Sequence, residues 1–360
     1  MTDHLTYKKA GVDYDQQDRI MNNLTYWVTR TFDFQPNSVK LPLGYFANVV
    51  DFGNGMGLAL STDGVGTKII VAEMMQKYDT VGIDCVAMNV NDVLCVGAKP
   101  IALLDYVAVE APHDDLMAAL VKGLYEGARI AKVTIPGGEI AQVREMIRGV
   151  RENYGFDLVG TCAGSVPLDR VLYGERTQEG DLIVGLRSTG IHSNGLSLAR
   201  RVLFDRMSWP VDKYVGELGR TIGEELLEPT RIYVQEVLEM FDRGLSIKAL
   251  AHITSSGFLN LTRANADVRY VLDKLPQPQP IFQLIQRSGG ITDEEMFFSY
   301  NMGIGLCIIV GPNDADAVLN IAKSHGVDSM IIGHIERSEN REVTLPQYHL
   351  IGFDGKFQRV

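Results

Sequence analysis

Short apolar runs alternate along this chain with glycine-bearing polar turns, and several of those turns lead into a helical pattern. Gly57-Leu-Ala-Leu60 predicts a strand, Ser61–Lys68 a turn, and Ile69-Ile-Val-Ala72 the start of a helix. Asp79–Val96 reads as a second helix with Asp79 or Thr80 as its cap, and Gly97-Ala-Lys-Pro100 ends it. Ile101–Val109 is a strand apolar on both faces, with Asp105 in its middle in need of a partner. His113-Asp-Asp115 opens a long helix bearing Leu116, Leu120 and Leu124; its Ala119, Gly123 and Gly127 suit close packing on a sheet. Lys132–Ile135 and Phe156–Val166 are further strands. The order strand, helix, helix, strand, helix, strand, strand predicts a mixed sheet with helices over one face. The other apolar face needs a cover, and a second subunit is one.

A new strand, Leu182–Leu186, places a boundary near residue 168 and predicts two domains, 1–167 and 168–360. Ser188–Gly195 and the helix Leu196–Phe204 repeat the device of strand, polar turn, helix. Ile247–Gly257, with the helix Phe258–Asn265 behind it, is a third instance. Pro229 reads as the first helical residue of a helix opened by Glu228. Leu306–Val310 is a buried strand, Asn313–His325 an amphipathic helix, Met330–Ile335 and Glu342–Leu345 strands, and Asp354-Gly355 the turn of a terminal hairpin. Before residue 56 the pattern yields only a polar arm, Tyr7–Asp13, and a loop at Leu41–Gly44. Two successive α/β domains with glycine-bearing turns after strands suggest a ligand in the groove between them.

The chain's 360 residues suffice for two cores, and 46% apolar with 22% charged residues is ordinary globular usage. A net charge of −11 without a basic stripe argues against nucleic acid as the partner, while leaving room for an anionic small substrate in a locally basic cleft. Cys85, Cys95, Cys162 and Cys307 form no CxxC pair and have no histidine at zinc spacing, so they read as core residues in a reducing, cytoplasmic setting. Met1–Ala10 has no apolar signal-peptide region, and no apolar run reaches membrane-spanning length.

The candidate chemistry lies on the turns. Ser61-Thr-Asp-Gly-Val-Gly-Thr-Lys68 sets free backbone N–H groups at the positive end of a helix, where phosphate binds well. Gly64 and Gly66 allow main chain to approach an anion, and Asp63 could hold a divalent metal bridging phosphates. The spacing is not that of the P-loop, and a tight turn with a solvated Lys68 is the alternative. Cys85, Asn89 and Asp92 share one helix face, either wet or reaching into a site. Glu139 follows Gly137-Gly138 as a metal ligand or as part of a surface turn, and His192 is either structural or a donor to a phosphoryl or carbonyl oxygen.

Ten blocks in register carry a resemblance over nearly the full length. They are Tyr7-Lys-Lys-Ala-Gly-Val-Asp, Thr62-Asp-Gly-Val-Gly-Thr-Lys, Gly82-Ile-Asp with Asn89-Val-Asn-Asp92, Gly97-Ala-Lys-Pro and Leu104-Asp-Tyr. Gly137-Gly-Glu, His192-Ser-Asn-Gly, Glu228-Pro-Thr-Arg-Ile-Tyr, Ala251-His-Ile-Thr and Asn301-Met-Gly-Ile-Gly complete them. Together they resemble the phosphoribosylformylglycinamidine cyclo-ligase (aminoimidazole ribonucleotide synthetase) family. The resemblance implies a homodimer whose N-terminal sheets join into one barrel, with ATP in the cleft. It implies ATP-dependent ring closure in purine synthesis: the formyl oxygen of formylglycinamidine ribonucleotide takes the γ-phosphoryl group, and nitrogen attack then closes the imidazole and expels phosphate. By it, Thr62, Asp63, Gly64, Gly66, Thr67, Lys68 and Asn89 would bind the nucleotide. Asp63, Asp92 and Glu139 would hold Mg²⁺, and Lys68, His192 and Asn194 would be catalytic. Three places depart from the family pattern: Ile140 where it has threonine, Ser255-Ser256 where it has two glycines, and Gly44–Ala47 where it has Gly-Gly-Phe-Gly. A relative phosphorylating another small amide or oxyacid, or a dimeric nucleotide-binding protein without catalysis, are the competing readings.

Overall fold

The computed structural model describes residues 6, 8–11 and 14–360, so Tyr7, Val12 and Asp13 of the expected arm lie outside the described residues. The first half runs α1 (Tyr14–Arg30), β1 (Asn48–Gly53), β2 (Met56–Gly64), α2 (Lys68–Met75), α3 (Asp79–Cys95), β3 (Lys99–Val109), α4 (Asp114–Ala131), β4 (Thr134–Gln142) and β5 (Phe156–Pro167). β1 and β2 form a hairpin through Asn54-Gly55, both at positive φ (55° and 72°), the geometry that matches strand twist. The strands make one sheet in the order β1-β2-β5-β3-β4, antiparallel except for the parallel pair β3–β4.

Residues of β2 alternate strictly. Ala59 and Ser61 are buried beneath the helices, while Leu60 and Thr62 face outward and are exposed. α3 lies on the inner face and is buried almost all round, so the face carrying Asn89 is not a wet one. The small residues of α4 serve α3 rather than the sheet: a Cβ on Gly123 would sit 1.9 Å from the Asp79 carbonyl oxygen, and one on Gly82 2.5 Å from the Leu124 nitrogen. The expectation of glycine-mediated packing on the sheet is thus corrected to helix-on-helix packing.

The second half runs β6 (Leu182–Arg187), α5 (Leu196–Arg200), the ribbon β7 (Tyr214–Val215) and β8 (Arg220–Thr221), α6 (Ile222–Leu226), α7 (Val234–Asp242), β9 (Ile247–His252) and β10 (Val268–Val271). Then come α8 (Pro280–Gly289), α9 (Asp293–Ser299), β11 (Ile304–Val310), α10 (Pro312–Ser324), β12 (Ser329–Arg337), β13 (Glu342–Leu345), β14 (Leu350–Phe353) and β15 (Lys356–Arg359). Eight strands form a mixed sheet ordered β15-β14-β13-β10-β12-β6-β11-β9, with β11 buried at every position. The two-domain α/β expectation with helices over one face of the N-terminal sheet matches this architecture.

Three element readings are corrected. The helix expected to start at Pro229 starts at Val234, because the backbone from 228 to 233 bonds side chains from elsewhere instead of its own turns. Residues Gly257–Arg263 wind as a 3₁₀ helix, with the Asn260 amide tying down the turn before it. The helix after Gly195 is α-helical only to Arg200 and then widens into a π turn, Arg201–Arg206.

Candidate active site

α3 is the hub, packing on the N-terminal sheet on one side and on β9 and α7 of the second half on the other. Its polar residues therefore meet both domains. Asn89 is fully buried and donates through Nδ2 to the Cys85 carbonyl (2.9 Å) and to the Asp63 carbonyl (3.2 Å). It holds the main chain of the phosphate-loop candidate from beneath. The room for it comes from Gly160 on β5, where a Cβ would stand 2.6 Å from Asn89 Nδ2 and 3.0 Å from Cys85 Sγ. Gly160→Ala is expected to push the amide off the Asp63 carbonyl and to lower stability by about 1–3 kcal/mol, read as a reduced urea midpoint at unchanged m-value.

Asp63 is the last residue but one of β2, on the inner face, its Oδ1 accepting the Gly64 N–H at 2.8 Å. Burial, and after it the negative charge of Asp92, push its carboxyl up to about 6. Asp92, one turn beyond Asn89 on α3, shares its Oδ1 with His252 Nδ1 at 2.8 Å. It also lines a cleft of about 180 Å³ with Pro42–Asn48, Leu60, Ser61 and Thr62. Two mutually repelling, partly desolvated carboxylates are a donor set that a divalent cation relieves, and Mg²⁺ needs only one or two of them beside phosphate and water. The residues present therefore fit Mg²⁺. At about 180 Å³ the cleft is smaller than an ordinary small-molecule pocket. A larger cavity of about 620 Å³ between Arg170 and Phe241 holds none of the candidate residues.

Three expected members are placed differently. Glu139 lies within β4, not on a loop, and is exposed. The register Asp63↔Gly160↔Asp105↔Gly138 puts Asp63 and Gly138 in one row, so Glu139 points to the opposite face three strands away, roughly 14 Å off at about 4.8 Å per strand. Among the described residues no three His, Cys, Asp or Glu side chains are placed to hold one metal ion. Asp105, in the same row as Asp63, has its carboxyl raised by burial.

Lys68 is the second. Its ammonium is fully buried, donating to Asp84 Oδ1 at 2.9 Å and to the Glu228 carbonyl at 2.7 Å, with Asp84 Oδ2 in ion-pair contact at 2.9 Å. It is not turned to the cleft. Thr62 is the third: it lines the Asp92 cleft, but from the outer face of the sheet, where it is exposed and its hydroxyl donates to the Gly160 carbonyl at 2.9 Å and meets Thr161 Oγ1 at 3.0 Å. Gly66 takes φ 71° with open space around it, and Thr67 Oγ1 meets Ser197 Oγ at 3.0 Å across the domain junction.

His192 stands on the turn after β6 at φ 61°, almost completely buried. Its Nε2 accepts the Thr189 N–H (3.3 Å) and the Arg231 N–H (3.4 Å), which leaves the proton on Nδ1, an atom with no partner. Burial, then the positive groups around it, hold its imidazole well below the usual histidine range, so it is neutral. Asn194 also carries a buried Nδ2 without a partner, and Ser193 Oγ meets Thr230 Oγ1 at 3.0 Å.

The bonding of segment 228–233 to α3 is what the sequence pattern did not reveal. Thr230 N–H donates to Asp84 (2.7 Å), Asn91 Nδ2 to the Arg231 carbonyl (2.8 Å), and Tyr233 N–H to Asn91 Oδ1 (3.0 Å). Asp84 and Asn91 are its unforeseen polar partners, and besides the Glu228–Tyr233 motif the sequence signal was polar residues inside an otherwise apolar helix.

The fold and these polar turns define a class of protein. Residues 44–166 match the AIR synthase related protein N-terminal domain, and residues 178–346 the corresponding C-terminal domain. The chain belongs to the phosphoribosylformylglycinamidine cyclo-ligase family. It is 48% identical over 333 residues to the enzyme of that name from Methanocaldococcus jannaschii, covering 92% of each chain. It is 45% identical to that of Methanococcus maripaludis strain C6, covering 96% of this chain and 98% of the relative. Among solved structures it is similar to thiamine-monophosphate kinase from Stenotrophomonas maltophilia K279a (TM-score 0.60, 19% identity, 88% of this chain and 93% of that one). It is also similar to the hydrogenase maturation protein HypE in complex with ATP (TM-score 0.59, 18% identity, 80% and 81%). At such identities these two establish the fold alone.

Proposed function

We propose that this chain converts formylglycinamidine ribonucleotide to aminoimidazole ribonucleotide with ATP, releasing ADP and phosphate, as a C–N bond-forming ligase of purine biosynthesis. The observation that carries the reading is the match over 92% of the chain, at 48% identity, to a relative named for that reaction. The arrangement is chemically apt. A formyl oxygen is a poor leaving group until phosphorylated, and phosphoryl transfer depends on positioning and charge neutralisation. Asp63 and Asp92 would hold Mg²⁺, which supplies charge neutralisation at the phosphates. Asn89 fixes the Asp63 main chain, and the turn 64–67 lies where the triphosphate would run. His192 presents a neutral Nδ1–H and Asn194 a free amide N–H, both suited to donate to the acceptor oxygen. We take residues 1–167 as the nucleotide and dimerisation unit and 168–360 as the unit completing the cleft. No helix among the described residues is long and apolar enough to cross a membrane.

A homodimer is part of the proposal. The outer face of the N-terminal sheet leaves Leu60, Leu104 and Tyr106 between 40% and 48% exposed, a contiguous apolar surface that a second copy would cover. Leu104→Asp is expected to yield monomers on size-exclusion chromatography with light scattering, together with a loss of turnover. An unchanged dimer would place the interface elsewhere. The reading that another small amide or oxyacid is the acceptor has only the shared fold in its favour. Purified chain with ATP, Mg²⁺ and formylglycinamidine ribonucleotide should form aminoimidazole ribonucleotide. ATP turnover solely with other acceptors would reverse the choice.

A further inference from the structure

We infer that His252 is a positioning residue that carries the C-terminal domain's grip on the metal-binding carboxylate Asp92. The inference rests on the reading of Asp92 as a Mg²⁺ ligand. His252 is the last residue of β9 and fully buried, whereas Asp92 belongs to α3 in the other domain. The surrounding hydrogen bonds fix the imidazole tautomer. Asn91 Oδ1 accepts the Tyr233 N–H, so its Nδ2 is the donor end. One Nδ2 hydrogen goes to the Arg231 carbonyl, and the other faces His252 Nε2 at 3.4 Å. Nε2 is therefore the acceptor and Nδ1 carries the proton, which it donates to Asp92 Oδ1 at 2.8 Å. One carboxylate oxygen is thus held from the second domain while the other stays free for a cation. A ligand carboxylate oriented in this way binds metal more tightly than one free to rotate.

The clamp continues behind the histidine. Asn260, almost fully buried, donates through Nδ2 to the carbonyls of His252 (3.0 Å) and Ser255 (3.1 Å) and to Thr254 Oγ1 (3.2 Å). The turn 254–256 and the His252 main chain consequently share one anchor. Metal affinity at Asp92 then depends on how the two domains sit on each other, although no residue of the second domain need touch the cation.

The test uses substitutions that move the donor atom. Asn at position 252 places its amide N–H where Nδ1 was, and Gln places it one bond further out. The dissociation constant of Mn²⁺ with a saturating non-hydrolysable ATP analogue is measured by water-proton relaxation on the full-length chain, for wild type, His252→Asn, His252→Gln and Asp92→Asn, with circular dichroism confirming each fold. We expect His252→Gln to weaken Mn²⁺ binding about 10–100-fold and His252→Asn to stay within about threefold of wild type. Equal affinities for the Asn and Gln variants, with Asp92→Asn weakened, would overturn the role of His252. Wild-type affinity in Asp92→Asn would instead remove the metal reading beneath it.

Discussion

Replacing Asp63 with asparagine should lower kcat by at least about 10²–10³-fold, the usual consequence of removing one charge-stabilising group from a phosphoryl-transfer site. The same change should make the protein more stable at neutral pH. The Asp63 carboxyl titrates at about 6 in the folded chain, above its ordinary value of 3.8, chiefly because it is buried and secondarily because Asp92 is near. A raised acid pKa means that the folded state binds the proton more tightly. The associated stability is complete below about pH 4 and is lost as pH rises through 6. Above that, ionising Asp63 costs up to about 3 kcal/mol. Asparagine keeps the acceptor for the Gly64 N–H without the charge, so Asp63→Asn should melt above wild type at pH 8 and level with it at pH 4. Opposite signs for activity and stability mark a residue kept for chemistry. A loss of both would mark a structural acid.

Lys68→Met should act in the other sense. The sequence invites a phosphate-binding lysine here, but the ammonium is sealed between Asp84 and the Glu228 carbonyl, with both side chains at 0% exposure. Removing it strands the Asp84 charge in the interior, and breaking such a pair costs about 3–5 kcal/mol. At this chain length that is a fall of roughly 4–7 °C in Tm. Lys68→Met/Asp84→Leu should recover most of it, because two well-packed apolar groups can replace a buried ion pair. A solvated phosphate ligand would behave otherwise: Tm would hold and the KM for ATP would rise. The pair also staples α3 to the segment 228–233, so loosening it disturbs the backbone that bonds His192.

What could be read in advance followed from local pattern. β2, α3, β3, α4 and β5 were legible because alternation and helical periodicity coincide there with glycine and proline punctuation. The Asn54-Gly55 hairpin lay inside a stretch left unread, although that dipeptide is a strong turn signal. Helix start rules failed at Pro229 for a tertiary reason. Its neighbours' backbone groups bond Lys68, Asp84, Asn91 and His192, and only the folded chain brings these together. The site was half legible in the same way. Asp63, Asn89 and Asp92 could be grouped because one helix and one turn carry them. Glu139 was misplaced because strand parity decides its face, and β4 continues past a register shift before Gly137 instead of ending at Pro136-Gly-Gly138. Lys68 was misread because its partner stands 16 positions on, at no helical or strand spacing from it.

The central claim is that Asp63 from a strand end and Asp92 from a helix meet on one metal-bound triphosphate. A crystal structure with Mn²⁺ and a non-hydrolysable ATP analogue tests it most directly. The account predicts an anomalous peak within about 2.1 Å of a carboxylate oxygen of each residue, with the phosphates along 64–67. A peak held by other residues, with Asp63 and Asp92 both outside its coordination sphere, would contradict it.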